Sequence, residues 1–170
     1  MNVFVAAMQL VVAAAFVSIP LVRAHFGPVA TVGAHEELAR QGVPASVLAE
    51  NGMRFDAGGH ETVVPVTVAS VMAVLAILNF AGSSWATPLT WIFQSIVLAG
   101  NALILYSQLT ATRSVQAAFA RKGGQLAGID VPALLSAARD GFPAWVWTLQ
   151  NVRHGAVFGA SILALVALAV

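Results

Sequence analysis

His25, His35, Glu36, Glu37, Glu50, Asp56, His60 and Glu61 crowd into one stretch of the chain. Imidazoles and carboxylates bind metals and move protons, so this stretch holds the ingredients of a metal or acid–base site. The spacing does not assemble them. A helical zinc motif needs a second His four residues after the first, and the residue four beyond His35 is Ala39. No Glu-x-x-His pair recurs in the way that di-iron helical proteins require. Adjacent Glu36 and Glu37 suit a solvated helix start. The chain has no Cys, which excludes thiolate metal sites, disulfides and thiol redox chemistry. No G-x-S-x-G elbow, phosphate loop or dinucleotide fingerprint is present, and Gly123-Gly124 reads as a turn. The expectation is no metal, no cofactor and no catalytic residue.

The other chemistry-bearing side chains are neutral amides. Gln94, Asn101 and Gln108 recur every seven residues, and Thr87 extends the row. Seven residues are close to two helical turns, so these side chains form a stripe on one helix face. An amide unpaired in hydrocarbon is costly, so the stripe must face protein or water. Its expected partners are Gln9, Asn79 and the carbonyls freed near Pro20. Either the amides bind helix to helix, at about 0.6 kcal/mol each, or they line a polar path or small-ligand pocket. No ionisable residue falls at the middle of a span, which favours glue over an ion or proton relay. His154, next to Arg153, reads as interfacial rather than as a haem ligand. Gly155-Ala156-Val157-Phe158-Gly159 is a GxxxG motif, which lets helices approach closely within one chain or between proteins.

Those residues need elements to carry them. Of 170 residues, 59% are hydrophobic and only 9% charged, and the mean hydropathy is +0.84. A water-facing domain carries about 25% charged residues, so most of this surface must face lipid. A bilayer core of about 30 Å needs roughly 20 apolar residues in a helix. Four stretches qualify, at about 2–22, 63–81, 88–109 and 145–170. Thr62 and Pro65 suit the first turn of the second span. Residues 1–24 lack the basic n-region of a signal peptide and read as a span. The expected fold is one all-α membrane domain, a bundle of four transmembrane helices with short amphipathic helices in two loops, about 23–62 and 110–144.

Every one of the eight Lys and Arg residues falls in those loops or at their edges. Both loops are short enough for the positive-inside rule, which places them in the cytoplasm and both termini outside. Trp85 and Trp91 then mark the outer interface, Trp145 and Trp147 the inner one. The two loops also resemble each other. Val43-Pro44-Ala45 leads to Gly52 and Val131-Pro132-Ala133 leads to Gly141, an offset of 88 residues that suggests a parallel two-helix repeat. Pro44 and Pro132 suit helix starts, and Gly52 and Gly141 suit helix stops.

Trp147, Asn151 and Arg153 at the start of the last helix resemble a pattern in small four-span bacterial membrane proteins of the anthrone-oxygenase-like kind. The likeness covers one helix end, the long first loop departs from it, and it assigns no site. Abundant Ala, Val and Gly with the single Lys122 suggest a high-GC bacterial genome. The absence of a basic patch excludes nucleic acid as a partner. The expected partners are the lipid bilayer and a protein, either a second copy or a larger membrane complex. The expected role is a non-catalytic membrane subunit or scaffold. Its rivals are a transporter or channel component using the stripe, and a small membrane enzyme acting on a lipophilic substrate.

Overall fold

A computed structural model describes residues 2–58 and 60–170, with only the backbone at 60 and 61. The His60 and Glu61 side chains therefore lie outside the described residues. The elements in chain order are α1 (Val3–Arg40), α2 (Ser46–Glu50), α3 (His60–Ala81), α4 (Ala86–Lys122), a 3-10 helix (Gly124–Gly128), α5 (Val131–Asp140) and α6 (Ala144–Ala169). No strand occurs among the described residues. By length and composition, α1, α3, α4 and α6 could each cross a membrane.

Two of these helices outrun the spans expected for them. α1 is 38 residues long and α4 is 37, about 57 and 55 Å at 1.5 Å per residue. α1 passes Pro20, Arg23 and Pro28 without a break, since a proline removes one backbone donor but need not end a helix held by packing. Each long helix stops where a glycine supplies a left-handed turn, at Gly42 (φ 72°) and Gly123 (φ 69°). α3 begins at His60, so Thr62 is inside the helix rather than capping it, and Pro65 lies beyond the first turn. At the other end of the chain, the Asn2 side chain caps α1 by accepting from the Val5 N–H at 3.1 Å.

The chain divides into two compact units. The span unit comprises Met1–Pro20, Gly59–Leu105 and Trp147–Val170, and the loop unit comprises Leu21–Gly58 and Tyr106–Val146. The apolar core of the span unit joins Val12 and Phe16 of α1, Met72 and Leu75 of α3, Val97 of α4, and Val157 and Ala160 of α6. Its outer surface is also apolar: Ile77, Ile96, Val152 and Leu163 are each half exposed or more.

The loop unit has its own core, built on Leu38, Val43, Leu48, Phe119, Ile129, Val131 and Leu134. α5 starts as its sequence directs. Asp130 caps it by accepting from the Ala133 N–H at 3.0 Å, with Pro132 in the first turn. Gln41 fastens that start to the end of α1. It accepts from the Asp130 N–H at 2.8 Å and donates to the Asp130 carbonyl at 3.3 Å. The two suggested helix stops differ in kind. Gly52 is left-handed (φ 67°), whereas Gly141 has α-region backbone and is small for another reason: a Cβ there would lie 2.5 Å from the Ala30 Cα. Pro44 lies two residues ahead of α2 rather than at its first position.

Candidate functional site

Gln9, Asn79, Thr90, Gln94, Asn101, His154 and Ser161 are the buried polar side chains among the described residues, and all belong to the span unit. They form two groups.

The first is a triangle between α1, α3 and α4. Gln9 Nε2 donates to Thr90 Oγ1 at 3.0 Å. Asn79 Nδ2 donates to Gln9 Oε1 at 3.1 Å, to Thr90 Oγ1 at 3.1 Å and to the Leu75 carbonyl at 3.0 Å. Gln9 uses both ends of its amide within the triangle, Asn79 uses its nitrogen there and on its own helix, and no buried atom of the three is left without a partner. This group is closed.

The second group joins α4 to α6 by two rungs. Gln94 Nε2 donates to Ser161 Oγ at 2.8 Å. Seven residues along α4, and seven back along α6, Asn101 Oδ1 lies 3.0 Å from His154 Nδ1. The proton there can be placed by elimination. Arg153 Nη2 lies 3.3 Å from His154 Nε2, and a guanidinium can only donate, so Nε2 accepts. Nδ1 therefore carries the hydrogen and donates to Asn101 Oδ1, which fixes the amide orientation. Two buried atoms are left over: Gln94 Oε1 and Asn101 Nδ2. This group is open.

The stripe read from the sequence is thus half realised. Gln94 and Asn101 are buried while Gln108 and Thr87 are exposed. The expected partners Gln9 and Asn79 are buried too, but they bond each other and Thr90. Ser161 and His154 take their place beside Gln94 and Asn101. The helix explains the difference. An α-helix drifts about 20° for every seven residues, so a strict seven-residue row leaves the contact face over three repeats. The buried face is instead Thr90, Gln94, Val97 and Asn101, spaced by four, three and four. Sequence reasoning missed Thr90, Ser161 and the burial of His154. The matching spacings, Gln94 to Asn101 and His154 to Ser161, were the available signal on two antiparallel helices.

The GxxxG glycines do not bring α6 against another part of the chain. Gly155 is exposed, and a Cβ at Gly155 or Gly159 would meet nothing within 4 Å.

In the loop unit the titratable groups stay apart or pair with bases. Glu37 accepts from Arg40 Nη2 at 2.6 Å and Nε at 2.8 Å, and from Gln41 Nε2 at 2.6 Å. These hydrogen bonds, Arg40 first, hold its carboxyl down at about 2. Asp56 lies 3.4 Å from Arg54, and His25 packs edge-on against Phe26 with centroids 4.6 Å apart. An open groove of about 520 Å³ is lined by Val29, Val32, Glu36, Glu37, Arg40 and Asp140, among others. Among the described residues no three His, Asp or Glu side chains gather as a metal would require. The chain matches no known family model, no curated protein and no solved structure.

Proposed function

We propose that this chain is a multi-pass protein of a bacterial cytoplasmic membrane that serves as a non-catalytic subunit, associating with itself or with a larger membrane complex. Its four long apolar helices form the bundle, both termini lie outside, and the loop unit with its short helices lies in the cytoplasm. The span unit supports immersion in lipid, because its amides are buried and much of its outer surface is apolar. The distribution of Lys and Arg supports the orientation.

The bundle reads as two parallel repeats, α1–α2–α3 and α4–α5–α6. Leu38-Ala39-Arg40-Gln41-Gly42 matches Phe119-Ala120-Arg121-Lys122-Gly123 at an offset of 81. Both glycines are left-handed, and Leu38 and Phe119 are both buried. The Val-Pro-Ala motifs follow at 88, the difference being taken up by the segment that contains the 3-10 helix. Within the spans, Val5, Gln9, Val12 and Phe16 correspond at 85 to Thr90, Gln94, Val97 and Asn101, and all eight are buried.

One observation carries the association reading: the GxxxG face of α6 is open. The repeat makes the glycines informative. Their counterparts on α3, at an offset of 88, are Thr67 and Val71, so the repeat does not need glycine there. A glycine pair that no part of its own chain approaches is suited to a neighbouring helix, for which small residues allow backbone contact. The test is the mass of the intact particle in mild detergent. Gly159→Ile should leave the melting temperature unchanged and release the partner or second copy. A wild-type particle of one chain, or a variant particle of undiminished mass, would overturn the association.

A further inference from the structure

We infer that the open polar group between α4 and α6 is an internal water site, hydrated from the Arg153 side and stopped at the Gln9–Asn79–Thr90 triangle. The inference rests on the membrane-spanning reading of the chain but not on its association with a partner.

The repeat makes two glutamines equivalent. Gln9 and Gln94 occupy the same position in their halves, and both are fully buried. Gln9 finds two partners, Thr90 and Asn79. The counterparts of those partners around Gln94 are apolar: Thr90 corresponds to Val5 at the offset of 85 between α1 and α4, and Asn79 to Ala167 at the offset of 88 between α3 and α6. Val5 is buried and Ala167 half-buried. The second half has therefore kept its glutamine while lacking the groups that complete it in the first. Ser161 serves one end of the Gln94 amide, and the other end is orphaned. Asn101 corresponds to Phe16 and His154 to Val66, so this half has placed further polar groups where the first is apolar.

What would complete the group follows from the atoms left over. Gln94 Oε1 needs a donor and Asn101 Nδ2 needs an acceptor. An ion would lose far more hydration than one neutral amide returns, whereas a water matches either atom. The two atoms belong to residues about 10.5 Å apart along α4, so one molecule does not bridge them and each takes its own. Buried Val97 and Val157 lie between the rungs in sequence, so a ligand spanning both would meet no polar group between them. An amide function left unpaired in a low-dielectric core is costly, and an ordered water removes most of that cost.

The direction of entry also follows. Arg153 is partly exposed and touches His154, and its guanidinium carries its own hydration toward the Asn101 rung. At the opposite end the triangle has no buried atom left without a partner, and Leu75 and Met72 of α3 are both buried. Water that reaches His154 and Gln94 therefore goes no further. The site is a blind vestibule rather than a through-path.

Radiolytic hydroxyl labelling in oxygen-18 water, read by mass spectrometry on the intact chain in nanodiscs, tests this directly. Hydroxyl radicals made from bound water oxidise the side chain beside it. Methionine reacts more readily than histidine, so Met72 is a stringent internal control. We expect His154 to label several-fold faster than Met72 despite its burial, and Asn101→Leu to cut that labelling several-fold. Vesicles carrying the protein should show no added proton leak. Should His154 and Met72 both stay unlabelled, the core is dry and the inference fails. Should both label, Met72 as fast as His154, or the vesicles leak protons, the water is continuous and the blind end is wrong. The wild-type comparison decides these outcomes even if the variant does not fold.

Discussion

Both units have an apolar core, but among the described residues the span unit alone also buries polar side chains. In the span unit seven polar side chains lie inside, and the apolar surface of Ile77, Ile96 and Leu163 lies outside. In the loop unit the interior is Leu38, Leu48, Phe119, Leu134 and their neighbours, while Arg40, Glu37 and Asp130 are paired at or near the surface. On the membrane-spanning reading proposed above, one chain satisfies two solvents. Where lipid is the solvent, burying a leucine gains little because the tails outside are equally apolar, and packing with amide bonds must hold helices together. Where water is the solvent, each buried methylene contributes about 0.8 kcal/mol. The same kind of substitution should therefore cost different amounts in the two units.

The largest effect is expected in the loop unit. Leu134 is fully buried in its core, and Leu134→Ala should cost about 2–5 kcal/mol through lost transfer energy and the cavity left behind. Hydrogen exchange should locate the loss, with faster exchange across residues 21–58 and 106–146 and unchanged protection in residues 63–81. Exchange that rises equally in both units would show that they do not differ as described.

A smaller effect is expected from Asn79→Leu in the span unit. The change removes the donor that serves Gln9, Thr90 and the Leu75 carbonyl. Interhelical polar bonds within membranes average about 0.6 kcal/mol and reach about 1.7, so a loss near 1 kcal/mol is expected in mixed-micelle unfolding. A loss as large as that of Leu134→Ala would mean that the triangle, rather than helix packing in lipid, holds the spans together.

The contrast between the units also explains what the sequence made legible. Long apolar runs stand out in composition, so the four helices long and apolar enough to cross a membrane could be read from composition and length. Gln9, Asn79, Gln94 and Asn101 were legible too, because an amide in such a run has few tolerable positions other than inside. Helix ends were less so. Arg23 and Thr110 mark where hydropathy falls, but a helix continues past that point for as long as its backbone is satisfied, here to Gly42 and Gly123. Partners across helices were least legible. Ser161 and His154 become meaningful only once α6 lies antiparallel to α4 in the register that sets them against Gln94 and Asn101. Gln108 shows the limit of pattern reading, since it continues a seven-residue row that the helix itself does not keep.

The account depends most on the loop segments lying in the cytoplasm while the spans cross lipid, and cysteine labelling in intact cells measures that. The chain has no Cys of its own, so single replacements report without background. Ala127 is exposed in the loop unit, and Ser84 is exposed in the turn between α3 and α4. With a membrane-impermeant thiol reagent, Ser84→Cys should label in intact cells, whereas Ala127→Cys should label only after the membrane is opened. Labelling of Ala127→Cys but not Ser84→Cys would invert the orientation, and labelling of both in intact cells would contradict the crossing of the membrane.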